Sequence, residues 1–358
     1  MADLTEFAEG PIVTAIYAHY ERQYGSEELR PYLGASSIGK ECRRALWYDF
    51  RWASREQFDG RMLRLFQTGH LAESRFVADL RAIDVEVYDV DPATSKQFGF
   101  SDHGGHARGH MDGCARHVPG GGKKWHVTEY KTHAAKSFAA LKKDGVKKSK
   151  PQHYAQMTWY MGQSGMDRAL YLAVNKDTDD LYAERIEFDA TEYEKIQAKF
   201  DAIIFAAEPP AKISEDPKYY ICNMCSHKDV CHGHRVPPVS CRTCVHATPE
   251  RDGDGRWSCA KYKADIPIAA QRTGCDSHLP LPFLLTYADP MDAGDGWIEF
   301  CRKDNADYFV VAAPGVTHPY PHFPIYTSQE ISAVKDHRVI CDREIENFKT
   351  SFSGTIIS

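Results

Sequence analysis

Cysteine spacing constrains the fold of this chain more than any other feature of its sequence. The chain has 358 residues and eleven cysteines, and seven of the cysteines fall between residues 222 and 275. The N-terminal stretch MADLTEFAEG is acidic and lacks the basic start and apolar centre of a secretory signal, so we expect a cytoplasmic protein. In that reducing compartment spaced cysteines are metal ligands more often than disulfide partners, and the sequence therefore predicts bound metal.

The last four of these cysteines are spaced like the ligands of a zinc ribbon. A C-x2-C pair is followed by two well-separated cysteines within one short segment, which is typical of tetrahedral zinc. Such a module needs its metal in order to fold. We therefore predict a zinc-binding module at residues 236–280, in which His278 is a substitute for the fourth ligand. The predicted Zn2+ ligands are Cys241, Cys244, Cys259 and Cys275.

The first three cysteines of the run, Cys222, Cys225 and Cys231, have C-x2-C-x5-C spacing. Three thiolates leave a tetrahedral metal site one ligand short. A neighbouring histidine can complete the site, which would then hold zinc. The histidines close enough in sequence are His227, His232 and His234.

The rest of the chain has the pattern of a mixed α/β protein. Helical spacing of apolar residues predicts helices at 11–23, at 61–81, at 134–143 and from Pro151. Another helix is predicted to start at Ser36 or Ser37 and to include Cys42 and Leu46. Strands are predicted at 84–90, 94–100, 106–112, 125–131, 168–174 and 183–188. This gives an α/β domain at residues 1–235, then the zinc module after Pro237-Pro238, then a short β-rich C-terminal region at 281–358 whose role the sequence does not reveal. No stretch approaches the ~20 apolar residues of a membrane helix.

Charge is unevenly distributed along the chain. The net charge is -6, but nine lysines lie between Lys123 and Lys150 against two acidic residues. A local basic patch can neutralise DNA phosphates, so one interpretation is that the lysines at the end of this stretch contact DNA. The other interpretation is that they form a helix face exposed to solvent. The lysines at that end are Lys147, Lys148 and Lys150.

Two carboxylates and a lysine are expected to meet on neighbouring strands. Glu129 and Lys131 are two residues apart on a predicted strand and therefore share one face. Asp112, in the segment GHMDG, would join them if its strand pairs alongside. Oxygen ligands suit Mg2+ or Mn2+, and a metal beside an ammonium group can serve phosphodiester cleavage.

The order of motifs resembles a known family. His70 in TGHLAE, then Asp112, then the E-x-K triplet, then Gln156 and Tyr160 four residues apart, resemble the RecB-like branch of the PD-(D/E)XK nucleases over residues 36–231. The resemblance implies a restriction-endonuclease-like core, a mixed sheet flanked by helices. It also implies that His70, Asp112, Glu129 and the Tyr130 carbonyl bind Mg2+ or Mn2+, that Lys131 positions water, and that Gln156 and Tyr160 contact DNA.

A further part of the resemblance concerns the first cysteine set. The segment SSIGKECRR resembles the one that supplies a distant first cysteine in iron-sulfur RecB-like nucleases, which then have C-x2-C-x5-C after the core. The resemblance implies a structural 4Fe-4S cluster that closes the nuclease domain. Its ligands would be Cys42, Cys222, Cys225 and Cys231.

The function that the resemblance implies is a metal-dependent DNA exonuclease. It would act on single-stranded or duplex DNA ends in recombination, repair or phage DNA processing, inside a bacterial cell and with a recombination or replication protein as partner. Two alternatives stay open: a structure-specific endonuclease, and a scaffold that binds DNA ends without cleaving them. Metal-dependent cleavage distinguishes an enzyme from the scaffold.

Overall fold

A computed structural model describes residues 10–25, 28–352 and 354–357, so most of the N-terminal stretch discussed above lies outside the described residues. Within this part, no helix combines the length and apolar character that crossing a membrane requires.

The helices are α1 Pro11–Tyr24, α2 Arg43–Arg51, α3 Gly60–Ala82, α4 Ala135–Ser149, α5 Pro151–Ser164, α6 Ala190–Ile204, α7 Tyr220–Asn223, α8 Lys228–Cys231, α9 Ile268–Thr273, α10 Ser328–Ala333 and α11 Arg343–Phe352. The strands are β1 Leu33–Gly34, β2 Glu86–Tyr88, β3 Gly99–Asp102, β4 Ala107–His110, β5 Gly113–Arg116, β6 His126–His133, β7 Arg168–Asn175, β8 Leu181–Glu187, β9 Ala247–Pro249, β10 Trp257–Cys259, β11 Ala264–Asp265, β12 Ala288–Gly294, β13 Trp297–Arg302, β14 Tyr308–Ala312 and β15 Ile325–Tyr326.

The chain forms two compact units. The first comprises the described parts of 1–40, 56–102 and 107–200, and the second comprises 41–55, 103–106 and 201–358. The first unit contains a five-stranded sheet in the order β2-β5-β6-β7-β8. Strands β6 and β7 are parallel and the other pairs are antiparallel. The mixed α/β architecture predicted for this region is confirmed.

Strand β6 lies at the centre of that sheet, and α3 covers one of its faces. The Tyr130 ring stacks on Phe76 of α3 with centroids 5.4 Å apart. Alternate residues of a strand point to opposite faces, so Tyr130 fills the apolar side while Glu129 and Lys131 occupy the other. The apolar cluster on this side contains Phe76, Val77, Leu80, Val85, Val87, Ala115, Val118, Tyr130, Leu170 and Val174.

A second, three-stranded sheet of the first unit has the order β1-β4-β3. Because β4 belongs to this sheet and β5 to the larger one, the residues Met111 and Asp112 form the link between two sheets. Asp112 therefore precedes the strand that pairs with β6, whereas the sequence predicted it at the end of such a strand. The short strand β5 itself was not predicted.

The second unit holds all the cysteines with predicted metal roles. Cys42 is the residue before α2, Cys222 lies in α7 and Cys231 ends α8. Strands β9, β10 and β11 form a small antiparallel sheet, and β12 to β15 form a four-stranded sheet. Strands β12 to β15 agree with the β-rich character predicted for the C-terminal region, which also contains helices α10 and α11. The predicted limits of the three domains stay predictions.

Two predicted helix limits need correction. No helix starts at Ser36 or Ser37, because tight turns occupy this segment: the Ser37 N–H donates to the Gly34 carbonyl (3.0 Å) and the Lys40 N–H to the Ser37 carbonyl (2.8 Å). The next helix, α2, begins only after Cys42. Helix α4 runs beyond residue 143 to Ser149, with a kink at Gly145, where φ is +70°.

Replacing Gly113 by alanine tests the register at the start of β5. A β-carbon there would lie 2.5 Å from the Tyr88 carbonyl oxygen and 3.1 Å from Thr128 Oγ1, so the paired strands would have to shift. We expect Gly113→Ala to lower the free energy of unfolding by roughly 1–3 kcal/mol in urea denaturation. The control is Gly69→Ala in α3, whose β-carbon would meet nothing within 4 Å. Gly69→Ala should raise the free energy of unfolding by roughly 0.5–1 kcal/mol. If Gly113→Ala were as stable as the wild type, the register of β5 would be contradicted.

Candidate active site

The pairing of β5 with β6 brings Asp112 next to Glu129. Gly113 lies opposite Thr128 in this antiparallel pair, so the preceding Asp112 reaches the level of Glu129. Asp112 Oδ2 accepts a hydrogen bond from the Tyr130 backbone N–H at 3.0 Å. The Glu129 side chain is fully buried, and that of Asp112 is 16% exposed. The two carboxylates therefore lie side by side, but only that of Asp112 is open to solvent.

Lys131 lies between these carboxylates. Its ammonium group forms an ion pair with Glu129 Oε1 and lies 3.7 Å from Asp112 Oδ2. It also donates a hydrogen bond to the Tyr130 carbonyl oxygen at 3.0 Å. The Lys131 side chain keeps 26% exposure, so its charge remains accessible from solvent. The structure thus brings together the three side chains that the sequence singled out on neighbouring strands.

Burial and charge act against each other at this site. Burial raises the pKa of Glu129 to about 8, although the Lys131 ammonium lowers it. Burial alone would lower the pKa of Lys131, but the carboxylates of Glu129 and Asp112 raise it well above its usual value. Lys131 therefore stays positively charged, and Glu129 is a carboxyl group whose ionised form is stabilised mainly by cations beside it.

The donor set fits a hard divalent cation. Glu129 Oε2 is buried and has no hydrogen-bond partner, so a cation can supply the missing stabilisation, and carboxylate oxygens are the ligands that Mg2+ and Mn2+ prefer. Among the described residues, however, no group of three or more histidine, cysteine, aspartate or glutamate side chains is arranged to hold a metal ion. Asp112 and Glu129 thus form a pair of candidate ligands, and the wider predicted set stays a prediction.

Helix α3 carries His70, whose metal-binding role stays a prediction, and one acidic residue that the sequence analysis did not assign. His70 is exposed, and Glu73 lies one turn further along the helix. Burial raises the pKa of Glu73, the Asp112 carboxylate raises it further, and the charges of His70 and Lys131 lower it. Glu73 is therefore a candidate member of the site, one helical turn before Phe76, whose ring stacks on Tyr130. Glu73 follows His70 by three residues and therefore lies on the same helix face, which is the sequence pattern that could have identified it as a site residue.

Gln156 and Tyr160 of α5 are buried rather than open to solvent. Gln156 is 6% exposed and Tyr160 is 1% exposed. The Tyr160 hydroxyl donates a hydrogen bond to the His110 carbonyl at 2.7 Å. A β-carbon at Gly109 would lie 2.7 Å from that hydroxyl, so glycine is needed for this approach. Tyr160 therefore supports the chain just before Asp112, and the predicted DNA contact of the two residues stays a prediction.

The lysines at the end of α4 each have a partner within the first unit. Lys147 forms an ion pair with Asp189 (3.2 Å) and Lys148 forms one with Asp144 (2.8 Å). Lys150 donates a hydrogen bond to Ser137 Oγ at 2.8 Å. The side chains of Lys147 and Lys148 remain 63% and 78% exposed. Exposed ion pairs of this kind are weak, so both lysines can still meet an external anion.

Each predicted cysteine set lines one small cavity of the second unit. Cys42, Cys222, Cys225 and Cys231 line a cavity of about 20 Å³, together with His227 and His232. Cys241, Cys244, Cys259 and Cys275 line another of about 20 Å³, together with His246 and His278. None of these eight cysteines forms a disulfide. The thiols of each set thus converge, but they are not arranged as a formed metal site, and both metal assignments stay predictions.

Comparison with known proteins gives weak structural similarities. No protein-family model and no curated protein matches this chain. Among solved structures, SSO0001 matches with a TM-score of 0.37 and 15% identity, over 63% of this chain and 97% of that protein. The alkaline exonuclease LHK-Exo from Laribacter hongkongensis matches with a TM-score of 0.36 and 16% identity, over 51% of this chain and 90% of the exonuclease. LHK-Exo in complex with dAMP matches with a TM-score of 0.34 and 16% identity, over 53% and 90%. Similarities this low do not establish function, which has to be argued from the site residues.

Proposed function

We propose that this chain is a metal-dependent deoxyribonuclease with a PD-(D/E)XK core of the restriction-endonuclease type. The observation that carries the proposal is a fully buried glutamate, Glu129, on a central strand beside Lys131 and Asp112. A buried carboxylate is costly unless it is paired or binds a cation, so a structural role alone is a poor explanation. A motif-like order of residues in the sequence supports the same assignment.

The three side chains have complementary tasks in phosphodiester hydrolysis. A divalent cation held by Asp112 and Glu129 would polarise a phosphoryl oxygen and lower the pKa of an attacking water. Asp112 is oriented for this by the Tyr130 N–H. Lys131 carries a positive charge beside the carboxylates, where it can orient water and stabilise charge that develops on the phosphate. Glu73 adds a further carboxylate near Asp112, and His70 lies on the same helix.

We assign the substrate as DNA ends and the reaction as exonucleolytic. The resemblance of the motif order to RecB-like nucleases is the support for this preference. The alternatives are a structure-specific endonuclease and a scaffold that binds DNA ends. Closed circular DNA that contains a branched or single-stranded structure separates the two enzymes, because an exonuclease leaves a molecule without ends intact and a structure-specific endonuclease cuts it.

Removing the charges of the site should abolish cleavage without unfolding the protein. We expect Lys131→Met and Asp112→Asn each to lower kcat/KM by at least about a hundredfold, because each removes a charge aimed at the transition state. The measurement is a time course on end-labelled single- and double-stranded DNA with Mg2+, Mn2+ or chelator, beside thermal melts of each variant.

The matched control is Asp179→Asn, which alters an exposed aspartate paired with Arg75. It should cleave like wild type. Near-normal cleavage by either folded site variant would show that the site is assigned wrongly. Tight DNA binding without metal-dependent cleavage by the wild type would favour the scaffold.

We further propose that Lys147 and Lys148 contact the DNA backbone. Their high exposure and the lysine excess around them support this assignment. Lys150 belonged to the same predicted set, but its ammonium group already donates to Ser137 within the fold. It is therefore left unchanged in the test of this proposal.

Neutralising the two exposed lysines should weaken DNA binding and reduce its salt dependence. Each phosphate contact that is lost lowers the slope of log K against log salt by roughly 0.7–0.9. We expect a reduced slope for Lys147→Gln with Lys148→Gln, measured by fluorescence anisotropy in Ca2+. Lys195→Gln, which changes an exposed lysine paired with Glu192, is the control. An unchanged slope would mean that Lys147 and Lys148 form only a solvated face.

We also propose that the two cysteine sets bind different metals. Convergence of each set on its own cavity supports two separate sites. The first set combines one remote cysteine with three clustered ones, which supports a 4Fe-4S cluster. The second lies within one short segment, which supports zinc. Zinc bound by three cysteines and a histidine is the alternative for the first set, since His227 and His232 line the same cavity.

Metal analysis of cysteine variants distinguishes these assignments. Anaerobically purified wild type should be brown and contain iron, sulfide and zinc. Cys42→Ser should lose iron and retain zinc, whereas Cys259→Ser should lose zinc and retain iron, because each set is expected to act independently. Zinc alone, without sulfide or visible absorbance, would contradict the cluster and favour the zinc alternative.

A further inference from the structure

Polar side chains continue from the candidate site along the same face of β6. His133 follows Lys131 by two residues and therefore shares its face. Tyr171 of β7 lies opposite Glu129 in the parallel pairing, so its ring projects to this face as well. Tyr171 is fully buried and His133 is 8% exposed. The proposed hydrolysis makes no use of either group.

These residues form a hydrogen-bonded chain that reaches α5. The Tyr171 hydroxyl lies 2.8 Å from His133 Nε2 and 2.9 Å from His153 Nδ1. At the other end, His133 Nδ1 lies 3.4 Å from Ser137 Oγ, which accepts a hydrogen bond from Lys150 at 2.8 Å. The His133 and His153 rings are stacked with centroids 5.9 Å apart. The chain therefore runs from Lys150 to His153 through three hydroxyl or imidazole groups.

One direction of the chain uses every donor within it. Lys150 has only donors, and the Tyr171 hydroxyl has one proton to share between two imidazoles. Every donor is used if Ser137 donates to His133 Nδ1, His133 Nε2–H donates to Tyr171, and Tyr171 donates to His153 Nδ1. Burial lowers the pKa of His133 to about 4 and of His153 to about 3, with the charges of Lys131 and Lys150 acting in the same direction. Both imidazoles are therefore neutral, and in this arrangement His153 carries its proton on Nε2.

His153 also lies beside the candidate site. It precedes Gln156 by three residues and Tyr160 by seven, so the three share one face of α5. His153 Nδ1 lies 2.9 Å from the hydroxyl of Tyr171, and Tyr171 lies opposite Glu129 in the pairing of β6 with β7, which puts His153 next to this part of the sheet. A protonated imidazole here would repel Lys131, whereas a neutral one offers an N–H donor without that cost.

We propose that His153 Nε2–H is a fixed hydrogen-bond donor to a non-bridging phosphate oxygen of the substrate, and that Tyr171 is a positioning residue that holds His153 in this tautomer. The assignment rests on the proposed nuclease function. A donor whose orientation is set before the substrate arrives stabilises developing negative charge without reorganisation during the reaction. Tyr171 acts only through His153, because its hydroxyl is already shared between two imidazoles.

The tautomer is tested by long-range 1H–15N correlation spectra of protein labelled with 15N-histidine. We expect His153 to show one protonated Nε2 and one unprotonated Nδ1 at neutral pH. Tyr171→Phe removes only the hydroxyl and should turn this signal into a mixture of tautomers. Addition of 5′-phosphorylated decathymidylate in Ca2+ should shift the His153 Nε2 signal in the wild type. A doubly protonated His153, a proton on Nδ1, or no shift with the oligonucleotide would overturn the proposal.

Cleavage kinetics provide a second readout. His153→Gln keeps an N–H donor at a similar reach, whereas His153→Phe keeps a ring without one. We expect kcat to fall about ten- to a hundredfold for His153→Phe, as for loss of a hydrogen bond to a charged group, and much less for His153→Gln. His19→Gln, at an exposed position of α1, is the control.

The two proposals fail in different ways. If the wild type cleaves DNA and folded His153→Phe cleaves equally well, the role of His153 is overturned while the nuclease assignment stands. If the wild type cleaves nothing but the oligonucleotide still shifts the His153 signal, the nuclease assignment fails while the phosphate contact is supported.

Discussion

The ion pair between Glu129 and Lys131 is the interaction on which the rest of the site depends. Glu129 is fully buried on the central strand, and burial alone would keep it protonated. A neighbouring ammonium group favours the ionised form, and the same carboxylate keeps Lys131 charged despite burial. Each charge therefore favours the other. Such a pair contributes little to stability compared with apolar residues of similar size, which makes function the better explanation for its presence.

The sheet explains how this pair obtains its third member. Parallel pairing with β7 and antiparallel pairing with β5 bury β6 on both sides, so few positions near Glu129 can receive a polar group. Asp112 reaches one of them because it lies at the link between two sheets, where the chain is free of ladder pairing until Gly113. A β-carbon at Gly113 would lie 2.5 Å from the Tyr88 carbonyl oxygen, so a glycine is needed where this link joins β5. The path of the backbone between the two sheets thus positions the Asp112 carboxylate, which the alternation of side chains along a strand would not do by itself.

Local spacing predicted the parts of the site that lie on one element. The E-x-K triplet shares a strand face, and most helices and strands of the first unit occur where apolar periodicity indicated them. The predicted start of α2 was wrong because turns at Ser37 and Lys40 satisfy the backbone hydrogen bonds of that segment. Strand β5 was missed because it is too short to leave a periodic pattern of apolar residues. Glu73 could have been proposed from its spacing to His70, whereas Tyr171 could not be predicted as a neighbour of the site, because its proximity depends on how β7 pairs with β6.

Helix α5 shows why burial and function have to be considered together. A helix that lies against a central strand must fill its inner face, and apolar residues would do so at lower cost. Here that face instead carries His153, Gln156 and Tyr160, and the polar atoms are satisfied by specific partners such as the Tyr171 hydroxyl and the His110 carbonyl. A satisfied polar network restricts each side chain to one orientation. The arrangement is therefore suited to holding donors and carboxylates in fixed positions around Glu129, which a looser apolar contact would not do.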